Sequence, residues 1–182
     1  VANQELCRAT TTNAITFSTN NPLGTTTYTW VNDNPSIGLA ATGSGNIAAF
    51  TAINNGTNPA VATITVTPTL DDGILSCAGT PTVFTITVNP TPNVNSASAK
   101  TICNNAPVDY TITSATPGTT FTWGRAGITG ISQPGVFNQT SNPINEVLTN
   151  TTLSPITVSY FMTGQGPAPT NCLGTPFFLM VT

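Results

Sequence analysis

Residues 27–30 read Thr-Tyr-Thr-Trp, and residues 120–123 read Thr-Phe-Thr-Trp. In both stretches aromatic residues hold alternate positions and threonine fills those between. A period of two marks a strand with one apolar and one polar face. The alternation recurs in Ile64-Thr65-Val66-Thr67 and in Phe84-Thr85-Ile86-Thr87-Val88. Ala14-Ile15-Thr16-Phe17-Ser18 and Val108-Asp109-Tyr110-Thr111-Ile112 read as matching early strands. Turn residues such as Gly43-Ser44-Gly45-Asn46 and Pro117-Gly118 separate these runs. Short alternating strands punctuated by turns predict an all-β chain with almost no helix.

The two opening tetrapeptides belong to a longer internal repeat. Cys7 matches Cys103, Pro59–Thr67 matches Pro155–Thr163, and Cys77-Ala78-Gly79-Thr80-Pro81 matches Cys172-Leu173-Gly174-Thr175-Pro176, all at offsets of 93 to 96 residues. Two immunoglobulin-like sandwich units follow, over residues 1–89 and 90–182, each of ordinary domain size. Asn89-Pro90-Thr91-Pro92 is expected to join them as a short stiff spacer, since alternate prolines favour polyproline II. The second copy stops at Thr182, opposite Thr87 of the first, so the chain reads as a piece cut from a longer array.

Charge is scarce: 3 Lys/Arg, 6 Asp/Glu and no His, or 5% of residues against about 25% in a typical domain. The lack of imidazole excludes Ser-His-Asp and Cys-His nucleophiles and His-ligated metals. Three cations do not neutralise a run of phosphates, so neither nucleic acid nor an anionic membrane is an expected partner. With 38 Thr and 20 Asn, the outward strand positions of both copies are expected to carry Thr and Asn where Lys and Glu are usual. Such a surface predicts stability that responds weakly to pH and salt. No run of 18 apolar residues is present, so no membrane insertion is expected.

Four cysteines fall two per unit: Cys7 and Cys77, then Cys103 and Cys172. Their even count and symmetry favour one structural disulfide inside each unit, and hence stability that depends strongly on reductant. The alternative, a metal or redox pair, lacks both a CxxC spacing and a histidine. Persisting disulfides point to an oxidising, extracytoplasmic location.

The early Thr101-Ile102-Cys103, the inner Tyr/Phe-Thr-Trp, the Cys-x-Gly-Thr-Pro and the exit Thr85-Ile86-Thr87-Val88-Asn89-Pro90-Thr91-Pro92 together resemble the PKD-like repeats of very large Bacteroidota cell-surface proteins, many of them similar to gliding-motility adhesins. The resemblance covers nearly the whole chain. It implies an immunoglobulin-like β-sandwich, export by the type IX secretion system, and a place in extended surface stalks or filaments. The second unit departs from the first at Gly164-Gln165-Gly166-Pro167, where the first has Pro68-Thr69-Leu70-Asp71-Asp72-Gly73.

No catalytic or cofactor-binding residues are expected. Asp71 and Asp72, adjacent and followed by Gly73, are the calcium candidate, against a solvated turn. Asp33 between Asn32 and Asn34 is a weaker case of the same kind. The second unit has only Asp109 and Glu146, unmatched in the first, which argues against paired-carboxylate glycoside hydrolysis. Trp30 and Trp123 are expected in the core; a sugar-stacking role would need exposed aromatic pairs on one face. The threonine rows Thr63, Thr65, Thr67 and Thr85, Thr87 read as the polar face of strands, with a glycan-facing ladder as the alternative. The functional expectation is a non-enzymatic structural and adhesive segment at the extracellular cell surface, its partners being neighbouring repeats and surface glycans or secretion proteins. The rivals are a carbohydrate-binding or accessory module of a large secreted enzyme, and a secretion substrate held by its export machinery.

Overall fold

A computed structural model describes residues 1–21 and 23–182. The chain divides into two compact units, Val1–Pro90 and Thr91–Thr182. Each is an immunoglobulin-like β-sandwich, and the sole helical element among the described residues is a 3-10 turn at Pro35–Ile37.

Unit one contains β1 (Gln4–Cys7), β2 (Thr25–Asn32), β3 (Thr42–Ser44), β4 (Ala60–Asp71), β5 (Ser76–Ala78) and β6 (Thr82–Asn89). They form one sheet ordered β1-β6-β4-β2-β3, with β5 paired to the far end of β4. Unit two contains β7 (Ala99–Lys100), β8 (Thr120–Arg125), β9 (Val136–Gln139), β10 (Val158–Gln165) and β11 (Phe177–Val181), ordered β7-β11-β10-β8-β9. The long central strands owe their form to strict alternation. Ala62, Ile64 and Val66 of β4 and Phe84, Ile86 and Val88 of β6 all face inward, and the threonines between them face out. Val158, Tyr160 and Met162 of β10 and Leu179 and Val181 of β11 do the same in unit two.

The facing layer is less regular. Around Ile15 and Tyr110, where the sequence predicts early strands, single bridges stand instead: Ile15 to Ile47 and Tyr110 to Ile144. The physical reason is the asparagine content. Asn142 accepts from the Ile112 N–H and donates to the Ile112 carbonyl, both at 2.9 Å. Gln4 serves Asn13 in the same way. Side-chain amides thus satisfy backbone groups that would otherwise need a strand partner. The layer still buries Ile15, Ile47 and Ala52 against the sheet of unit one, and Val108, Tyr110, Ile112, Ile144 and Leu148 against that of unit two.

First and last strands run parallel in both units. β1 pairs with β6 from Gln4↔Ile86 to Cys7↔Asn89, and β7 pairs with β11 at Met180↔Ala99 and Val181↔Lys100. The chain therefore enters each unit at one end, here the leading end, and leaves at the opposite, trailing end.

The cysteines do not pair as the repeat suggested. One in each unit is disulfide-bonded, Cys7 and Cys172. The other in each, Cys77 and Cys103, is an exposed free thiol. The expected Cys7–Cys77 and Cys103–Cys172 staples are absent because strand geometry separates their members. Cys7 lies opposite Asn89, next to Val88↔Ala60 at the start of β4, and Cys77 lies opposite Leu70 near its end. At about 3.3 Å per residue that is roughly 30 Å, against about 7 Å or less between bridged Cα atoms. In unit two, the residue before Cys103 bonds to Thr182, beside Val181↔Val158, whereas Cys172 sits by Gly166 at the other end of β10, more than about 20 Å away. Neither unit's fold is held by a bridge closing its own loop.

Candidate functional site

The one buried ionic cluster among the described residues lies in unit two. Strand alternation places Arg125, two residues after the buried Trp123, on the inner face of β8, where it is 0% exposed. Its Nε donates to Glu146 Oε2 at 2.8 Å and its Nη2 to Glu146 Oε1 in a bidentate pair. Tyr160, opposite Arg125 across β8 and β10, donates its hydroxyl to the same Oε2 at 2.7 Å. Unit one has Asn32 and Ile64 at this pair of positions, and Asn32 donates to the carbonyls of Leu39 and Ala40 instead. The hydrogen bond to Glu146 raises the Arg125 pKa, so the guanidinium stays charged. Burial, followed by the bond to Glu146, pushes the Tyr160 hydroxyl well above its usual range. The site has no free nucleophile or base, because each polar group is engaged by another. Its role is to fix packing.

The shift at Tyr160 carries a pH prediction. A raised folded pKa gives stability that is whole below the unfolded value, about 10, and declines as pH rises beyond it. Unit two is therefore expected to lose about 1.4 kcal/mol per pH unit above about pH 10 through this residue. Tyr160→Phe removes that dependence. Urea titrations of both proteins at pH 8 and 11 measure it: equal slopes for wild type and variant would refute the assignment.

The acids singled out from the sequence serve local structure. Asp71 Oδ1 accepts from the Gly73 N–H at 2.8 Å, and Asp72 Oδ1 accepts from the N–H groups of Ile74 and Leu75 at 2.9 and 2.8 Å. These bonds, Leu75 first, hold the Asp72 carboxyl below its ordinary pKa. Asp33 Oδ1 accepts from the Thr63 N–H, and Glu5 accepts from Asn89. Asp109 offers its backbone carbonyl to the Lys100 ammonium. Among the described residues no three His, Cys, Asp or Glu converge as metal ligands.

Trp30 and Trp123 are in the core, 7% and 5% exposed. Trp123 lies 5.8 Å from Tyr160, and its indole N–H donates to the Ser141 carbonyl at 2.8 Å. Trp30 packs over Gly43, where any side chain would overlap its ring.

The exposed aromatic pair is elsewhere. Phe137 and Phe161 stand on the outer face of unit two with ring centroids 6.1 Å apart at 34°. Phe161 pairs with Gly124 on one side and with Phe178 on the other, so its ring lies over the glycine. Phe137 and Phe178 are each 57% exposed. This corrects the expectation that both outer faces carry Thr and Asn. The face of unit one carries Thr63↔Thr85, Thr67↔Thr29 and exposed valines, and that of unit two carries a row of phenylalanines. The sequence held a signal for this row: Phe161 and Phe178 fall at the outward positions of β10 and β11.

A family model described as a PKD-like domain matches residues 4–92 and again 100–182. No curated protein matches the chain. Among solved structures, the human desmocollin-1 ectodomain is 13% identical with a TM-score of 0.39 over 99% of this chain and 38% of its own. Drosophila N-cadherin EC1-4 is 10% identical with a TM-score of 0.44 over 100% and 49%. The fibronectin(III)-like modules of Clostridium thermocellum CbhA are 13% identical with a TM-score of 0.33 over 100% and 89%. The chain thus spans less than half the length of the first two structures.

Proposed function

Since this chain belongs to the PKD-like domain family and contains two of its units in tandem, we propose that it is a non-enzymatic structural and adhesive segment of a secreted cell-surface protein. The observation that carries the reading is the parallel pairing of first and last strands in each unit. A unit that the chain enters at one end and leaves at the other extends an array with every copy added. The resemblance to Bacteroidota surface repeats extends the proposal to export by type IX secretion and to adhesins of the gliding-motility kind. Neighbouring repeats of the same long protein are the proposed partners. An antibody raised against these 182 residues should label intact, unpermeabilised cells of the source organism. Labelling only after permeabilisation would overturn the extracellular placement.

The phenylalanine row supports a second reading, a carbohydrate-binding module. Uncharged aromatic rings on an outer sheet face suit the apolar faces of neutral sugars. A glycan array should then report saturable binding that drops at least about tenfold in Phe161→Ala. Binding unchanged in that variant, or no binding at all, would reject this reading and leave the stalk.

A further inference from the structure

Asn55-Gly56 is the one Asn-Gly step in the sequence. It lies in the loop of unit one between β3 and β4, and both residues are exposed. An asparagine followed by glycine is open to attack on its side chain by the next backbone nitrogen, because glycine puts no Cβ in the way and bends freely. Here that nitrogen is engaged. The Gly56 N–H donates to Asn54 Oδ1 at 2.8 Å. Asn54 is only 4% exposed, and its Nδ2 donates to the Asn58 carbonyl at 2.8 Å and to the Val88 carbonyl of β6 at 2.7 Å. Both hydrogens of the Asn54 amide are therefore engaged, and they hold its acceptor oxygen in place.

Unit two builds the same turn without the reactive pair. Asn150 Oδ1 accepts from the Thr152 N–H, and its Nδ2 donates to the Ser154 carbonyl, each at 2.8 Å. The residues enclosed there are Thr151 and Thr152. The turn thus belongs to the fold, and the Asn-Gly step inside it belongs to unit one.

We propose that Asn55 is a site of spontaneous conversion to aspartate and isoaspartate, and that Asn54 keeps it closed for as long as the loop stays fastened to β6. In the reaction the Gly56 nitrogen gives up its proton and bonds to Asn55 Cγ. The Cγ–Nδ2 bond of Asn55 breaks, and ammonia leaves with that proton. The resulting succinimide takes up one water at either of its two carbonyls, which yields aspartate or isoaspartate. Nothing is oxidised or reduced: one water enters and one ammonia leaves. The first step needs a free Gly56 nitrogen. Donation to Asn54 Oδ1 stabilises its protonated form and points it away from attack, so the step waits for the loop to open. Conversion turns a neutral amide into a carboxylate in a chain with only 6 Asp/Glu. Isoaspartate also adds an atom to the backbone inside the turn that Asn54 closes with Asn58.

The 182-residue protein is held at mildly alkaline pH, folded and in urea, and peptide mass spectrometry follows the change of Asn55 from amide to acid. Conversion should be at least about tenfold slower in the folded protein, with the Gly56 amide protected from hydrogen exchange to a similar degree. Asn54→Ala should recover most of that factor while Trp30 fluorescence shows unit one still folded. Ile64→Val, a core change that weakens unit one away from the loop, should keep the wild-type rate. Where Asn54→Ala does not fold, the two wild-type measurements decide. Equal rates folded and in urea, a freely exchanging Gly56 amide, a folded Asn54→Ala as slow as wild type, or Ile64→Val as fast as Asn54→Ala would each overturn the proposal.

Discussion

Glu146→Ala is expected to unfold unit two under conditions in which unit one stays folded. Arg125 is fully buried and its counter-charge is this one carboxylate, which also accepts from Tyr160. Removing the carboxylate leaves an uncompensated guanidinium in the core, at a cost of about 3–5 kcal/mol. A unit of this size loses on the order of 15 °C or more in melting temperature from such a change. The double change Arg125→Met with Glu146→Leu should restore most of the loss, because replacing a buried pair removes its desolvation cost as well. Each unit has its own tryptophan, Trp30 and Trp123, so fluorescence of Trp30→Phe and Trp123→Phe backgrounds follows the units separately. A loss below about 1 kcal/mol in Glu146→Ala would mean that the pair is not buried as described.

Gly174→Ala should destabilise unit two by about 1–3 kcal/mol, whereas Gly79→Ala should cost clearly less. The two glycines hold the same place in the Cys-x-Gly-Thr-Pro motif but meet different neighbours. A Cβ on Gly174 would stand 1.8 Å from the Pro92 carbonyl oxygen, a main-chain atom that no rotamer change can move. A Cβ on Gly79 would meet the side chain of Pro68 at 3.0 Å. Thr175, next to Gly174, adds a hydrogen bond to Asn93 at 3.1 Å. Pro92 and Asn93 therefore meet the Cys-x-Gly-Thr-Pro motif within unit two, and the glycine is what lets the two backbones approach. Chemical denaturation of the two variants decides the point. Equal losses would show that the Pro92 contact is not the cause.

The central strands were legible because burial on one face forces a period of two. Ile64, Val66, Phe84, Ile86 and Val88 read inward from the sequence and are inward. The same period applied past Trp123 reaches Arg125, so a charge on an inner face was there to be noticed. Its partner Glu146 sits in an irregular segment, where no period points to a face. The facing layer escaped for a related reason. Asn142 and Gln4 replace strand partners with side-chain amides, and their donors and acceptors leave no alternation behind. Cysteine spacing misled because a separation of about 70 residues says nothing about which end of a sandwich each residue reaches. Parallel pairing of β1 with β6 put Cys7 at the trailing end, and the hairpin of β4 with β5 put Cys77 at the leading end. Because neither unit closes a bridge between its own two cysteines, reductant should change little in whether each unit folds.

Small-angle X-ray scattering of the 182-residue protein tests the stalk reading most directly. The 12 residues of β4 span about 40 Å, which sets the length of one unit. End-to-end units predict a maximum dimension of about 80 Å or more and the bimodal distance distribution of two bodies in line. A single-peaked distribution ending near about 50 Å, the signature of two units folded side by side, would contradict it.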